Sequence, residues 1–230
     1  MQALLTLDEQ ATARPHPAQY TEALLPTMAR MLQGCRRILD PMAGAGGVRK
    51  LAAWLPGATF SLNELEPEWA EQARAHCGDA RALPWPAGYF DGLCVSPPYG
   101  NRMRDGFLPT DANGRYRRRT YAASLRRPLS AGSAAAKAFR PGGDYCALMA
   151  AIWQECTRVL APGGRFVLNV KDYTEAGSVQ PVTAWHVETL QALGYTLEER
   201  IDVPCPGFRW GQNAEKRAST EAVILFCRAL

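Results

Sequence analysis

The chain alternates short apolar runs with segments of helical periodicity, and this alternation restricts its fold more than any other feature. The run FDGLCVS at residues 90–96 is continuously apolar, which is typical of a strand buried on both faces of a parallel sheet. The alternation predicts a doubly wound α/β sheet with right-handed crossovers. The predicted helices cover residues 20–32, 46–55, 66–76, 145–160 and 182–193, and the other predicted strands cover residues 35–41, 59–64, 165–170, 195–203 and 221–229.

Length and composition fit one domain. With 230 residues, of which 47% are hydrophobic, the chain is long enough to bury one core of ordinary size. No apolar run approaches the roughly 20 residues of a membrane span, and the start MQALLTLDEQ has no signal-peptide pattern, so we expect a cytoplasmic protein without a membrane partner. The seven cysteines form no CxxC pair, so neither a zinc site nor a disulfide framework is expected.

Positive charge is concentrated in an insert at about residues 101–143. Between residues 101 and 140, ten Lys and Arg residues and two Asp residues give a net charge of +8, whereas the whole chain carries +4. The insert mixes aromatic residues with charge and is rich in Gly, Ser and Ala, so we expect it to lack a packed core before a partner binds. Its charge favours a polyanionic partner; the alternative is a solvated loop that only keeps the protein soluble.

Ligands of doubly wound sheets bind beyond the carboxyl ends of the strands. After the first predicted strand, DPMAGAGG brings Gly44, Gly46 and Gly47 ahead of the next helix, which suits a close approach of a ligand to the backbone. Arg49 occupies the place of the third spaced glycine of a dinucleotide-binding motif. Asp40 would repel a pyrophosphate and suits a cationic ligand, the alternative being a turn or cap acid.

Acidic residues follow at two further strand ends. Glu64 lies twenty residues after Gly44, the separation that places an acid on ribose hydroxyls in nucleotide-binding units. Glu66 is its nearby competitor, and either residue can instead be a helix-start acid. In CGDARALP, Asp79 is a candidate acceptor for an adenine amino group and equally a candidate turn residue.

These segments resemble those of the S-adenosylmethionine-dependent methyltransferases that act on exocyclic amino groups of nucleic-acid bases. DPMAGAGG is similar to their first cofactor motif, NELEPEW to the second, GDARALP to the third and SPPYG to the catalytic fourth, while HPAQYTEALLPTMARML resembles their amino-terminal element. The resemblance covers most of the chain. It implies a mostly parallel seven-stranded sheet of the Rossmann-like class I methyltransferase type, with a closing antiparallel hairpin, and S-adenosylmethionine as cofactor. The candidate cofactor residues are His16, Tyr20, Asp40, Met42, Ala43, Gly44, Gly46, Glu64, Asp79 and Ala80.

The corner SPPY carries the catalytic residues that the resemblance implies. The lone pair of an aromatic amino group is delocalised into its ring, so the nitrogen becomes a good nucleophile only when acceptors hold its hydrogens. In the family's mechanism these acceptors are the Ser96 side chain and the Pro97 carbonyl. Pro98 helps to lock the backbone, and Tyr99 stacks on a base that has been flipped out of the duplex. Ser96 is therefore an acceptor and not a nucleophile.

The serine of SPPY is typical of cytosine-N4 enzymes, so the resemblance favours site-specific methylation of cytosine N4 in DNA, duplex more than single-stranded. Adenine-N6 methylation of DNA uses the same catalytic geometry, and guanine-N2 methylation of RNA is a third alternative. A non-catalytic nucleic-acid-binding module on the same fold is an alternative of another class. No metal is expected, and the sequence leaves the oligomeric state open.

Because no long separate target-recognition domain is visible, we expect the insert to contact phosphates. PCPGFRWGQNAEKR near the carboxyl end is expected to frame the target base, and LNVKDY brings Asn169, Lys171 and Asp172 towards the same rim. His186 is a candidate for the base pocket, although a structural role is the commoner one for such a histidine. The candidate phosphate contacts are Arg102, Arg104, Arg115, Arg117, Arg118 and Arg119.

Overall fold

The strands of the computed structural model form one large sheet and one small one, within the described residues 16–17, 20–100, 121–175, 177–205 and 219–230. In chain order the strands are β1 Arg37–Asp40, β2 Thr59–Glu64, β3 His76–Cys77, β4 Phe90–Val95, β5 Leu160–Val170, β6 Tyr173–Glu175, β7 Ser178–Gln180, β8 Tyr195–Pro204 and β9 Thr220–Arg228. Strands β6 and β7 pair with each other as a separate antiparallel ribbon.

The large sheet has seven strands in the order β3-β2-β1-β4-β5-β9-β8. Strands β3, β2, β1, β4 and β5 pair in parallel, whereas β9 runs antiparallel to both β5 and β8. The strand order reverses between β1 and β4, which creates a crevice at the carboxyl ends of these two strands. The topology confirms the predicted doubly wound, mostly parallel sheet with a closing antiparallel pair.

Helices cover both faces of the sheet. The α-helices are α1 Leu25–Met31, α2 Pro67–Ala73, α3 Tyr121–Leu125, α4 Asp144–Val159 and α5 Val182–Ala192. Two neighbouring residues of β5 divide the core, because successive side chains of a strand point to opposite faces. Phe166 belongs to the cluster that contains Trp153 of α4, and Val167 belongs to the cluster that contains Met28 of α1.

Two predicted helices differ from the observed elements. Gly47–Ala53 forms a 3-10 helix rather than an α-helix; a left-handed Gly46 precedes it and Pro56 follows shortly after, so little length is left for a regular helix. The helix predicted over residues 66–76 ends at Ala73 because Arg74 is left-handed, with φ of 49°. The short edge strand β3 follows. Its two residues are too few to give a periodic pattern from which a strand could be predicted.

The cysteines follow the expectation for small apolar residues. All seven are free, and five of them are buried: Cys35, Cys94, Cys146, Cys156 and Cys205. Within the described ranges, no helix has both the length and the apolar character needed to cross a bilayer.

Candidate active site

A cavity of about 320 Å³ opens at the carboxyl ends of β1, β2, β4 and β5. The arrangement follows from the parallel sheet, since the ends of adjacent parallel strands meet at one edge. Every candidate cofactor and catalytic residue except Gly46 lies on the cavity wall. These lining residues are His16, Tyr20, Asp40, Met42, Ala43, Gly44, Glu64, Asp79, Ala80, Ser96, Pro97, Pro98 and Tyr99.

The loop after β1 is covered by the amino-terminal element at two of its glycines. Gly44 is left-handed, with φ of +51°, and a Cβ atom built on it would lie 2.9 Å from Cε1 of His16. A Cβ atom built on Gly47 would lie 2.7 Å from Cδ2 of Tyr20. Side chains at these two positions would therefore displace His16 and Tyr20 from the cavity wall.

Gly46 serves the turn rather than the cavity. Its φ is +75°, and its N–H donates to the carbonyl oxygen of Ala43 over 2.7 Å. A Cβ atom built on it would lie 3.1 Å from Leu62 and 3.3 Å from Ala73, so the absence of a side chain lets the loop pack on β2 and α2. This predicted cofactor residue therefore lies behind the loop. The sequence could not show this, because glycine spacing alone does not separate turn positions from contact positions.

Asp40 is a buried carboxyl at the tip of β1. Its Oδ1 accepts a hydrogen bond from the N–H of Met42 over 3.1 Å, and its Oδ2 accepts one from the hydroxyl of Tyr20 over 3.3 Å. Burial, assisted by the nearby charge of Glu64, raises the pKa of Asp40 to about 7. A cation bound in the cavity would stabilise the ionised form, so this end of the cavity favours positively charged groups.

The acids Glu64 and Glu66 have different tasks. Glu64 accepts hydrogen bonds from the N–H of Gly44 over 2.7 Å and from the N–H of Glu66 over 3.0 Å, one on each carboxylate oxygen. Burial raises the pKa of Glu64 despite these bonds. Glu66 also lies on the wall, but its carboxylate binds the basic insert, through the N–H of Ser130 at 2.9 Å and the hydroxyl of Ser130 at 2.8 Å.

Residues 121–136, which we call the covering segment, close one side of the cavity. They contain α3, and Arg127 within them forms ion pairs with Glu66 at 2.8 Å and Glu68 at 2.5 Å. The lining residues of this segment are Tyr121, Leu129, Gly132, Ser133, Ala134 and Ala135. The expectation that the insert lacks packed structure is therefore wrong for this part, because the buried Glu66 and the half-buried Glu68 on the body of the fold hold it in place.

Asp79 adopts the turn role that the sequence left as an equal alternative. Its Oδ1 accepts from the backbone N–H of Arg81 over 2.9 Å, and its Oδ2 accepts from the guanidinium of the same residue over 2.6 Å. Hydrogen bonding to Arg81 lowers the pKa of Asp79. The residue nevertheless lies on the cavity wall beside Ala80.

The SPPY corner follows β4 and presents two hydroxyl groups. Oγ of Ser96 and the phenol oxygen of Tyr99 lie 3.1 Å apart. The Tyr99 hydroxyl also lies 3.4 Å from Oδ1 of Asn169 and 3.5 Å from Oε2 of Glu221. Burial and the charge of Glu221 raise the pKa of Tyr99, so this phenol stays protonated and neutral. The corner therefore combines acceptor oxygens with an aromatic ring.

Of the three residues of LNVKDY, only Asn169 lies on the cavity wall. Lys171 forms an ion pair with Glu221 at 4.0 Å, and Asp172 accepts from the N–H of Thr183 at the start of α5. Sequence reasoning missed Glu221, which lines the cavity near the start of β9. One signal was available: the first residues of an antiparallel last strand lie at the edge where the parallel strands end.

His186 does not reach the cavity. It is fully buried between Tyr145, whose hydroxyl lies 3.0 Å from its Nε2, and Trp153, whose indole nitrogen lies 3.0 Å from its Nδ1. The suggestion that His186 lines a base pocket is therefore wrong, because α5 directs this side chain into the core beneath the SPPY corner.

The remaining predicted contacts are those with nucleic acid. The six candidate phosphate contacts, Arg102 to Arg119, lie outside the described residues, as does most of PCPGFRWGQNAEKR. No group of three or more His, Cys, Asp or Glu side chains suited to a metal ion occurs in the part of the chain that the structure describes.

Comparisons with protein-family models and with curated proteins give no match. Among solved structures, the chain is similar to an S-adenosylmethionine-dependent (SAM-dependent) methyltransferase from Methanosarcina mazei, with a TM-score of 0.56 and 14% identity over 93% of this chain and 100% of that chain. It is also similar to a geranyl diphosphate methyltransferase in complex with GPP and sinefungin (TM-score 0.55, 11% identity, 90% of this chain and 77% of that chain). A third similar structure is the N-methyltransferase NodS from Bradyrhizobium japonicum, with a TM-score of 0.51 and 15% identity over 90% of this chain and 93% of that chain. The chain therefore has the Rossmann-like fold of the class I SAM-dependent methyltransferases.

Proposed function

We propose that the protein is a SAM-dependent methyltransferase that acts on an exocyclic amino group of a nucleobase, with cytosine N4 in duplex DNA as the first candidate. One observation carries the proposal: the acids Asp40 and Glu64 and the hydroxyls of Ser96 and Tyr99 line the same cavity. The first pair suits the charge and hydroxyl groups of the cofactor. In the second pair, Ser96 suits the amino group that would receive the methyl, and Tyr99 suits the base that carries this group.

The acidic end of the cavity fits SAM in its donor and acceptor chemistry. Asp40 suits the positive charge of the cofactor. A carboxylate has about four lone-pair sites, so Glu64 keeps acceptor capacity for a ribose hydroxyl beside the two backbone hydrogen bonds described above. Nearby, Oδ1 of Asn63 is buried and has no hydrogen-bond partner among the described residues. Such an acceptor suits a donor from a bound molecule or water.

The SPPY corner would activate the amino nitrogen. SAM supplies a methyl group on a positively charged sulfur, open to in-line attack by a lone pair. Oγ of Ser96 and the carbonyl oxygen of Pro97 would accept the two amino hydrogens, which favours the pyramidal nitrogen with a localised lone pair. The ring of Tyr99 would stack on the base and hold it in plane. The nitrogen–methyl bond would form as the sulfur–methyl bond breaks, and the nitrogen would release one of its two hydrogens as a proton to water. In this mechanism the protein contributes orientation and electrostatic stabilisation and forms no covalent intermediate.

Cytosine is the first candidate base because a serine opens the corner, and DNA is the first candidate substrate because a basic insert follows the corner directly. Adenine N6 requires the same two acceptors, so it differs from cytosine only in the shape and polarity that the base pocket presents. The identity of the base is therefore part of the experiment.

The test is transfer of labelled methyl from SAM to duplex DNA, single-stranded DNA and tRNA in parallel, followed by mass spectrometry of the nucleosides. N4-methylcytosine from duplex DNA, lost in Ser96→Ala and Tyr99→Ala, is the expected result. N6-methyladenine would keep the mechanism and correct the base, and methylation of RNA alone would overturn the DNA substrate.

Binding of SAM is measured separately by calorimetry on wild type and on both variants. Binding without transfer to any nucleic acid would reject the proposed substrate class while keeping the cofactor site. Absence of SAM binding by the wild type would reject the proposal as a whole and favour a non-catalytic nucleic-acid-binding module.

A further inference from the structure

Behind the SPPY corner lies a buried chain of three side chains, Tyr145 and Trp153 of α4 and His186 of α5, which the proposed mechanism leaves without a task. All three are 0% exposed. The hydroxyl of Tyr145 lies 2.6 Å from the carbonyl oxygen of Pro98 and 3.0 Å from Nε2 of His186, and the indole nitrogen of Trp153 lies 3.0 Å from Nδ1 of His186. The chain thus connects the interior of α4 to the corner.

The chemistry of these groups fixes the direction of every hydrogen bond. An indole N–H only donates, so Nδ1 of His186 must accept from Trp153. Burial lowers the pKa of His186 to about 3, so the ring is neutral and its single proton lies on Nε2. Nε2 therefore donates to the oxygen of Tyr145. The hydroxyl hydrogen of Tyr145 is then directed to Pro98, and burial raises the pKa of this phenol, which keeps that hydrogen in place.

The hydrogen bond supplies a restraint that the prolines lack. The pyrrolidine rings fix φ at Pro97 and Pro98, and the ring of Pro98 also restricts ψ of Pro97, but no ring restricts ψ of Pro98. The carbonyl of Pro98 turns with ψ of that residue, so the bond from Tyr145 holds this angle. The same peptide group contains the N–H of Tyr99. Its orientation sets where the Tyr99 ring stands relative to Ser96 and to the Pro97 carbonyl.

We infer that Tyr145 is a positioning residue for methyl transfer, held in its donor orientation by His186 and Trp153. It acts through the backbone of the corner and touches neither cofactor nor base. This inference rests on the proposed function for its effect on rate, whereas its effect on the backbone of the corner is independent of any activity.

The main experiment compares Tyr145→Phe with wild type in steady-state kinetics and in amide hydrogen exchange. We expect kcat to fall about tenfold, the equivalent of one hydrogen bond, with KM for the nucleic acid and Kd for SAM within about twofold of wild type. Proline has no N–H, so residues 96–100 carry only the amides of Ser96, Tyr99 and Gly100. Exchange in this segment should accelerate, while exchange in residues 42–48 stays unchanged.

Tyr195→Phe is the matched control. Tyr195 is also buried, at 4% exposure, but it begins β8 at the opposite end of the sheet, where its ring packs against Phe166. This control should leave kcat and the exchange of residues 96–100 at wild-type values. Equal loss of kcat in both variants, or an unchanged kcat in Tyr145→Phe, overturns the inference.

A second pair of variants tests the donor and acceptor roles assigned to His186. His186→Gln offers an amide that can accept from Trp153 and donate to Tyr145, whereas His186→Leu can do neither. We expect His186→Gln to retain kcat within about threefold and His186→Leu to match the loss in Tyr145→Phe. Equal kcat in the two His186 variants would show that hydrogen bonding through His186 does not hold Tyr145 in its donor orientation. If wild type itself transfers no methyl, the proposed function fails, and hydrogen exchange of residues 96–100 alone decides the inference.

Discussion

The backbone N–H of Gly44 donates a hydrogen bond to the carboxylate of Glu64 over 2.7 Å. This bond joins the loop after β1 to the end of β2, so the two strand ends that line the acidic side of the cavity form one unit. It also orients the Glu64 carboxylate before any ligand binds, which reduces the entropy that ordering of this side chain would cost on binding.

Glu64→Ala should weaken SAM binding about 10- to 100-fold, because loss of one hydrogen bond from a ribose hydroxyl to a charged acceptor costs about 1.5–3 kcal/mol. Isothermal titration calorimetry gives the Kd. Glu71→Ala removes an exposed glutamate from α2 and is the control. Equal affinity of the Glu64 and Glu71 variants would show that the carboxylate at the end of β2 does not bind the cofactor.

Asp40 makes stability depend on pH in the apo protein. Its pKa of about 7 in the folded state is above the ordinary value of 3.8, so its contribution to stability is complete below about pH 3.8 and is lost as the pH rises through about 7. The decrease is at most about 1.4 kcal/mol per pH unit for one group. Thermal unfolding between pH 5 and 8 should show this decline in wild type and a flatter profile in Asp40→Asn.

Binding of SAM should reverse this dependence on Asp40. A cation beside the carboxyl favours its ionised form, so binding near neutral pH should release a proton and become tighter between pH 6 and 8. Calorimetry in buffers with different ionisation enthalpies measures the released proton. Identical proton release by wild type and Asp40→Asn would contradict the assignment.

Site residues whose positions follow from local sequence pattern could be predicted, whereas those whose positions depend on contacts between distant segments could not. Glu64 and Ser96 were predictable because each follows an apolar parallel strand, and such strands bring their carboxyl ends together. Tyr121 was not, because the insert has no periodicity and the position of Tyr121 depends on packing against distant Trp69. Glu221 depends on the register of β9, where it pairs with Val203. Local pattern therefore reveals strand ends, and long-range pairing decides what else surrounds them.

Arg127→Gln should loosen the covering segment. Glu66 is buried, and its ion pair with Arg127 is one of the contacts that hold residues 121–136 over the cavity. We expect faster hydrogen exchange in this segment and a several-fold weaker Kd for SAM, since loss of a charged partner from a buried acid costs about 1.5–3 kcal/mol. Arg30→Gln, which breaks an exposed pair with Glu199, is the control and should change neither quantity. Unchanged exchange in the Arg127 variant would contradict the role of this ion pair.

The number of acceptors at the corner should control the rate. Ser96→Ala removes one acceptor and should lower kcat about 100-fold with little change in SAM affinity, because the hydrogen bond contributes mainly in the transition state. Ser96→Asp restores an acceptor and should retain more activity than Ser96→Ala. Ser61→Ala, in β2, is the control. A Ser96→Ala variant with wild-type kcat would remove Ser96 from the mechanism.

Replacement of Arg117, Arg118 and Arg119 by Gln should weaken DNA binding and flatten its dependence on salt. Each phosphate contact contributes about 0.9 to the slope of log K against log salt concentration, so loss of three contacts should reduce the slope by nearly 3. Fluorescence anisotropy of labelled duplex at several salt concentrations measures both quantities. The control is the double variant Arg36→Gln/Arg37→Gln, which removes exposed charge at the amino end of β1, away from the cavity. If both variants change the slope by the same amount per arginine, the basic insert has no specific role in DNA contact and its charge acts only through the net charge of the protein.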